Sequence, residues 1–537
     1  MLFSLAFAYY QKAACATDTP ICSDVCVSIL KAGGNAVDAV VAATICVGTV
    51  SSQASGIGGG GFAVLDIKGK RHFVNFREMA PLAANKDMFT NPLDAQKGPK
   101  SIATPGELKG LFEMHSKYGK LQWADLLRPS IQLAQDGFKI TAHLAKSLKS
   151  GSAGILSDPG LSAVYSKIVN GEKVVVEEND IVHRKNLATT LQYIAEFGIT
   201  EFYSGSIAKT MVNYIQSKGG ILSLQDLNRY KVEWNTPLHV KYREYDVYTG
   251  LAPSGGPVLA MMLKVAEQFQ FPGNKDNVTD MHRLVEIMKH AYAKRSQLAD
   301  PNFISNVTTL TNRIKTKRFA MEVYTRINDA QTYGPEHYNS SYEFFQDAGT
   351  THLSVLDEQG NSASLTSTVN LGFGSGIMDP ITGIIFNDQM DDFSLPNQKN
   401  AFDLAPSAVN FIDPLKRPQS SSAPTIIKYL GLPVMVIGGS GGSRITSAVF
   451  KTIIDTLDQK IPINDSIQSS RVHHQLFPNS IEVEDDLPSD YVNGLKQKGH
   501  GLKSDKMTFS AVQGVHVRNG LIYAASDKRK HGQSSGY

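Results

Sequence analysis

Apolar and polar positions follow two regimes along the chain, and the change falls near residue 350. Residues 22–32 (CSDVCVSILKA) space apolar side chains three and four apart, as in a helix with one buried face, and Gly33-Gly34-Asn35 stops it. Residues 36–50 (AVDAVVAATICVGTV) are apolar almost throughout and predict a fully buried helix. Residues 1–60 thus read as helical. Residues 61–76 (GFAVLDIKGKRHFVNF) alternate like a hairpin turning at Gly69. Helical spacing dominates 105–235, a strand pair follows at 238–250, and 257–299 is helical again. Residues 302–349 are polar and read as a surface stretch. Beyond 350 the period drops to two. HLSVLDEQGNSASLTSTVN predicts a hairpin with its turn at Gly360-Asn361, and GIIFN, PTIIKYLGLPVMVIGG and IEVEDD continue as strands. A helix-rich part beside a strand-rich part implies a layered α+β protein.

Composition narrows the partners more than the fold. The 537 residues carry 53 Lys+Arg against 50 Asp+Glu, so the net charge is +3, and 42% of residues are hydrophobic. That excludes a disordered chain and gives no reason to expect nucleic acid as a partner. Forty-five glycines without a three-residue period exclude collagen. The length allows several domains or one large α/β assembly.

The first residues, MLFSLAFAYYQKAA, lack a positive n-region and are too short to span a bilayer; the 36–50 run is also too short and contains Asp38. Four Asn-x-Ser/Thr sequons, at Asn277, Asn306, Asn339 and Asn464, lean weakly toward a secretory route. All four cysteines lie within the first 46 residues. Folding 22–32 back on 36–50 about Gly34 brings Cys22 level with Cys46, so a bridge between them competes with four free thiols.

Several stretches invite chemistry. Gly56–Gly61 is glycine-rich, but a helix precedes it and a strand follows, the reverse of a dinucleotide loop; a tight turn is preferred. Around Ser440, GGSGG lies between a strand and a helix. A nucleophilic serine is one reading. Backbone N–H groups presented to a negative charge at a helix start are the better one. His473-His474 and His282/His290 lack carboxylates at ligand spacing, and no metal site is expected. The densest polar cluster, 349–392, holds Thr350, Thr351, Thr366, Ser367, Thr368, Asn370, Gln389, Asp391 and Asp392. Alternation puts Thr366, Thr368 and Asn370 on one strand face; an exposed Thr-rich edge hairpin is the competing reading.

With these residues in view, the chain resembles the gamma-glutamyltransferase (glutathione hydrolase) family. TTHLSV, TSTVN and NDQMDDF carry the resemblance, and AGGNAVDAVVAA, GIGGGGF, FREMAP, ATPGELKG, LAPSGGP, SSSAPTI, GGSGGSRI and GQSSGY extend it over almost the whole chain. The resemblance implies a four-layer αββα N-terminal nucleophile hydrolase fold. It also implies self-cleavage between Gly349 and Thr350 into intertwined chains, 1–349 and 350–537. Thr350 is then the nucleophile and Thr368 its hydrogen-bonding partner. Arg77, Ser420 and Ser421 match the residues that hold the substrate α-carboxylate, and Asn370, Gln389 and Asp392 those that hold its α-ammonium. Gly441 and Gly442 match the oxyanion-hole N–H groups. The chemistry is coherent, because a threonine hydroxyl needs an adjacent base and a freed α-amine, with a pKa of about 7.7–8.0, can supply one.

The resemblance further implies glutathione and other γ-glutamyl compounds as substrates, amino acids or dipeptides as acceptors, no cofactor or metal, and a secreted or extracellular membrane-face location. It favours the Cys22–Cys46 bridge. Gln419 and Ser422 depart from the family pattern, which leaves the register of Ser420–Ser422 open by one residue. Many eukaryotic members carry Glu where this chain has Gln389. A non-catalytic secreted glycoprotein of the same fold and a related acylase are the alternatives. Retention of Thr350 and Arg77 argues against the first. The joint presence of Arg77 and Asp392 argues against the second.

Overall fold

Two seven-stranded sheets, each antiparallel throughout, face one another at the centre of the molecule. The computed structural model describes residues 9–272, 278–339, 349–396, 406–503 and 510–537. One sheet runs in the order Ser535–Gly536, Ala14–Ala16, Gly349–Leu356, Ser362–Asn370, Gly60–Ile67, Lys70–Phe76 and Glu233–Asn235. The other runs Tyr9–Tyr10, Leu521–Ser526, Ala511–Arg518, Leu432–Ser440, Thr425–Tyr429, Tyr245–Thr249 and Leu238–Tyr242. Both sheets therefore interleave strands from before and after residue 349.

Strand alternation sorts the two faces of each sheet. In the first, Leu353, Val355, Ala363 and Leu365 join a core with helices Pro20–Lys31, Ala36–Val50, Glu107–Tyr118, Trp123–Asp136 and Lys185–Phe197. Phe62, Val64 and Leu356 point the other way and meet Ile426, Val436 and Val515 of the second sheet. The outer face of that sheet packs on helices Gly256–Ala266, Val278–Arg295 and Arg444–Leu457. The result is the expected helix–sheet–sheet–helix stack. The layer between the sheets turns polar where it approaches residue 350: His352, Ser354, Ser364 and Thr366 are all buried there. The imidazole of His352 packs so closely on Gly438 that a Cβ at 438 would lie 2.2 Å from its ring.

Local expectations fare unevenly. Residues 36–50 form a helix buried at every position, started by an Asn35/Asp38 capping box. Cys22 and Cys46 are bridged, and a second bridge, Cys15–Cys26, pins the adjoining strand to the same helix. The helical reading of 1–60 is corrected at Tyr9–Tyr10 and Ala14–Ala16, which are sheet strands, whereas residues 1–8 lie outside the described residues. Much of the polar 302–349 stretch is helical, at Asn306–Ile314 and Lys317–Tyr324, each burying only a narrow apolar stripe. GIIFN is buried, but its backbone bonds to loops at Ile377 and Gly58 rather than to a ladder. Asn306 and Asn339 are exposed, Asn464 is half-buried, and Asn277 lies outside the described residues.

Candidate active site

Thr350 sits where the strand ladder is interrupted. Gly349 pairs with Asn370 and Thr351 with Ser367, so the register shifts at Thr350 and the regular pairing is lost there. The Thr-rich hairpin is thus no exposed edge: it is buried mid-sheet between Ala14–Ala16 and Gly60–Ile67. The chain is continuous at this point, so the Thr350 nitrogen is an amide. Its hydroxyl donates to Thr368 Oγ1 at 3.4 Å. The Thr368 hydroxyl in turn donates to the Gly349 carbonyl oxygen through a short hydrogen bond, and it accepts the Asn370 N–H at 2.8 Å. The carbonyl next to Thr350 is therefore already hydrogen-bonded by a neighbouring hydroxyl. Lys530, buried among the last residues of the chain, donates to the Thr350 carbonyl and to Asp18 Oδ2, the latter at 2.6 Å. Gln513 Nε2 donates to the other Asp18 oxygen at 2.6 Å.

A second cluster gathers charge. Arg77 follows the strand Lys70–Phe76 and is 1% exposed. Its guanidinium makes a short ion pair with Asp392 and donates to the Gln419 carbonyl at 3.0 Å. Gln389 Nε2 also donates to Asp392, at 2.6 Å, and Asn410 Nδ2 donates to the Asp392 carbonyl at 2.7 Å. Arg77 and Asp392 were expected to face substrate groups of opposite sign; here they face each other. Beside them Glu78 is fully buried, and burial pushes its carboxyl up to about 8, against the pull of Arg77. Burial likewise raises Asp391 to about 7, helped by the Asp392 charge. Glu78 therefore holds its proton at neutral pH, and Asp391 shares one there.

Several polar atoms in this cluster accept or donate no hydrogen bond within the protein. Gln389 Oε1, Asn370 Oδ1, Ser421 Oγ and both Glu78 oxygens are buried without a hydrogen bond, although Glu78 Oε2 lies 3.7 Å from the Arg77 guanidinium. Two of these are amide acceptors and one a hydroxyl donor, an unusual concentration for a protein interior. Ser420 donates to Ser422 Oγ at 3.1 Å. The LAPSGGP turn backs this serine run: Ser420 N–H donates to Pro253, and Gly255 N–H to Ser422, both at 2.8 Å. Gln419 anchors its side chain on the Arg295 and Leu298 carbonyls, which gives this departure from the family pattern a structural role. Gly441 and Gly442, at φ +115° and +63°, make the turn from strand Leu432–Ser440 into helix Arg444–Leu457.

The polar residues singled out in sequence at 77, 350–370, 389–392 and 420–421 thus gather into two buried clusters, joined through Asn370. Its side chain donates to Asp388 O at 3.2 Å and approaches Asp391 at 3.5 Å. Lys530 and Asp18 were not foreseen. Their partners lie far away in the chain, so no local pattern marked them.

The gamma-glutamyltranspeptidase family profile matches residues 22–537. The chain belongs to the gamma-glutamyltranspeptidase family. It is 41% identical over 538 residues to glutathione hydrolase proenzyme 2 of Schizosaccharomyces pombe, covering 98% of this chain and 87% of that protein. Among solved structures, the cephalosporin acylase from Bacillus halodurans superposes with a TM-score of 0.85 over 99% of this chain and 97% of its own, at 24% identity; that likeness speaks to the fold alone. The gamma-glutamyltranspeptidase of Helicobacter pylori is 31% identical, with a TM-score of 0.56 over 59% of this chain and 92% of its own. The fold is that of the N-terminal nucleophile hydrolases. No helix among the described residues is long and apolar enough to cross a membrane.

Proposed function

We propose that this gamma-glutamyltranspeptidase family member is a glutathione hydrolase and γ-glutamyltransferase, made as a precursor that cuts itself between Gly349 and Thr350. The carrying observation is the Thr350–Thr368–Gly349 arrangement: a hydroxyl nucleophile beside a carbonyl that a second hydroxyl polarises. In processing, Thr350 Oγ attacks the Gly349 carbonyl carbon, the Thr350 nitrogen leaves with a proton, and water hydrolyses the ester. The product is a free α-amine on Thr350, in contact with the same hydroxyl. Residues 1–349 and 350–537 stay together because they share both sheets.

In turnover, Thr350 Oγ attacks the γ-carbonyl carbon of the substrate while its α-amine takes the hydroxyl proton. The Gly441 and Gly442 N–H groups hold the oxyanion. The amine product, cysteinylglycine from glutathione, leaves with that proton. Water or an amino acid or dipeptide amine then takes the γ-glutamyl group from the ester. Arg77, Ser420 and Ser421 hold the α-carboxylate, and Asp392, Gln389 and Asn370 the α-ammonium. The idle Ser421 donor and the idle Gln389 and Asn370 acceptors support this polarity. A zwitterion can replace the Arg77–Asp392 contact by offering each partner its opposite charge, so no lone charge is left buried. The protein acts outside the cell in this reading, and the two disulfides suit an oxidising compartment.

Competing substrates test this reading. Glutathione and γ-glutamyl anilides should be turned over, and glutaryl amides, which lack the α-amine, should be poor. Preference for glutaryl amides would instead support an acylase.

A further inference from the structure

We propose that a cationic cavity flanking the catalytic strand seats the carboxylate carried by the amine side of the substrate or acceptor. This rests on the enzyme reading above and extends it to the part of the substrate that Arg77 and Asp392 do not reach. The cavity, of about 650 Å³, lies between the loop Gly372–Ile377 and the helical segment around residues 147–161, with Lys97 and Lys218 in its wall. That volume is in the ordinary range for small-molecule sites and ample for a dipeptide.

Three observations support the assignment. The first is position. The loop begins two residues after Asn370, and Gly349 packs against Leu371. The helix Leu93–Gln96, directly before Lys97, packs on the 389–392 turn that carries Gln389 and Asp392, and Gly98 N–H bonds Ser375 at 2.9 Å. The cavity is therefore walled by segments that adjoin the 389–392 turn and the end of the strand Ser362–Asn370. The second is charge. Lys97 and Lys218 are exposed; Lys97 acts at a distance on the buried Asp388, which lies outside the wall, and Lys218 on Asp158. The acid in the wall, Asp158, accepts the Leu161 and Met378 N–H groups at 2.8 and 3.3 Å. Two ammonium groups against one hydrogen-bonded carboxylate focus a positive field in a concave site. The third is backbone strain. Phe373, at φ +62°, is a non-glycine residue in the left-handed region, followed by Gly374 at +55° and Gly376 at +75°. Such conformations persist where the surroundings impose them, and they cluster at ligand sites. At Gly376 an added Cβ would lie 3.7 Å from the Lys97 side chain, an ordinary contact distance, so this lysine runs along the loop.

The ligand class is thus an α-carboxylate on an amino acid or dipeptide: the glycyl carboxylate of glutathione as leaving group, and the same group on an incoming acceptor. Two anilides that differ by one carboxylate isolate it, γ-glutamyl-4-nitroanilide and γ-glutamyl-3-carboxy-4-nitroanilide. The readout is the ratio of kcat/KM for the carboxylated to the plain substrate, measured on the mature enzyme. Lys97→Glu with Lys218→Glu should lower that ratio about ten-fold, chiefly through KM. Raising the salt to about 0.5 M should move the wild-type ratio toward the variant's. A variant ratio within about two-fold of wild type, in an active enzyme, overturns the cavity assignment and leaves the enzyme reading standing. A wild type that turns over neither anilide overturns the enzyme reading, and this proposal falls with it.

Discussion

Two buried polar networks in this protein look alike in composition and differ in completeness. One surrounds Thr350, Arg77 and Asp392. The other lies on helix Val278–Arg295, where His282, Glu286 and His500 bring their ligand-type atoms within 4.8 Å of one another. In the second, Glu286 accepts from Thr332 at 2.5 Å and from Tyr338 at 2.7 Å, Lys289 donates to Thr332 and to the Tyr333 carbonyl, and His282 bonds His500 and the Asn328 carbonyl. These bonds fasten residues 328–338 onto the helix. In the first network, amide acceptors, a serine hydroxyl and a carboxyl group stay without hydrogen bonds. In the second network the histidine and carboxylate atoms are thus taken up by protein partners. The idle atoms set the first network apart, because a fold leaves buried polar atoms idle only at a cost that binding can recover.

The comparison predicts that damage to the open network lowers catalysis and damage to the closed one lowers stability. Thr350→Ala should have the largest effect, abolishing cleavage on a denaturing gel and lowering anilide turnover by at least about 10³-fold. A variant still cut after residue 349 would show that Thr350 is not the nucleophile. Arg77→Lys keeps a cation beside Asp392 but loses the guanidinium fork. A fall of about 10²-fold in kcat/KM is expected, with Tm changed by no more than about 2 °C.

The closed network should show itself in acid. Burial lowers His282 below its usual value and takes His500 down to about 3. Below pH 6.5 the unfolded chain gains protons that the folded chain refuses, so stability falls with pH down to about 3. Each such histidine contributes up to about 1.4 kcal/mol per pH unit. His500→Gln should flatten that slope between pH 6 and 4 in urea unfolding; an unchanged slope would break the assignment. Glu286→Gln leaves one of its donors without an acceptor and should cost about 1–3 kcal/mol, while kcat/KM of the folded enzyme stays within about two-fold. A large kcat/KM loss at full stability would erase the distinction between the networks.

How much of this was legible depends on how far apart the partners lie. Helix 36–50 and the hairpin 61–76 were readable, because period and turn residues are local. Tyr9–Tyr10 and Ala14–Ala16 were not, since two or three residues carry no period and their partners come from the C-terminal part. The hairpin 350–370 was readable as a hairpin but not as buried, because Thr366 bonds His352 of the same hairpin, whose ring packs on Gly438 of the facing sheet, and Ser364 donates to Ile437 there rather than to water. The site residues came from the family resemblance, not from spacing. The direct contact between Arg77 and Asp392, 315 positions apart, and the reach of Lys530 to Thr350 could only come from the fold.

The central claim is that Thr350 becomes the first residue of a second chain. N-terminal sequencing of the smaller chain from native protein tests it most directly. The account predicts Thr-Thr-His-Leu-Ser-Val, with the larger chain ending at Gly349. An active enzyme that runs as one 58.4 kDa chain, or whose smaller chain starts elsewhere, would contradict it.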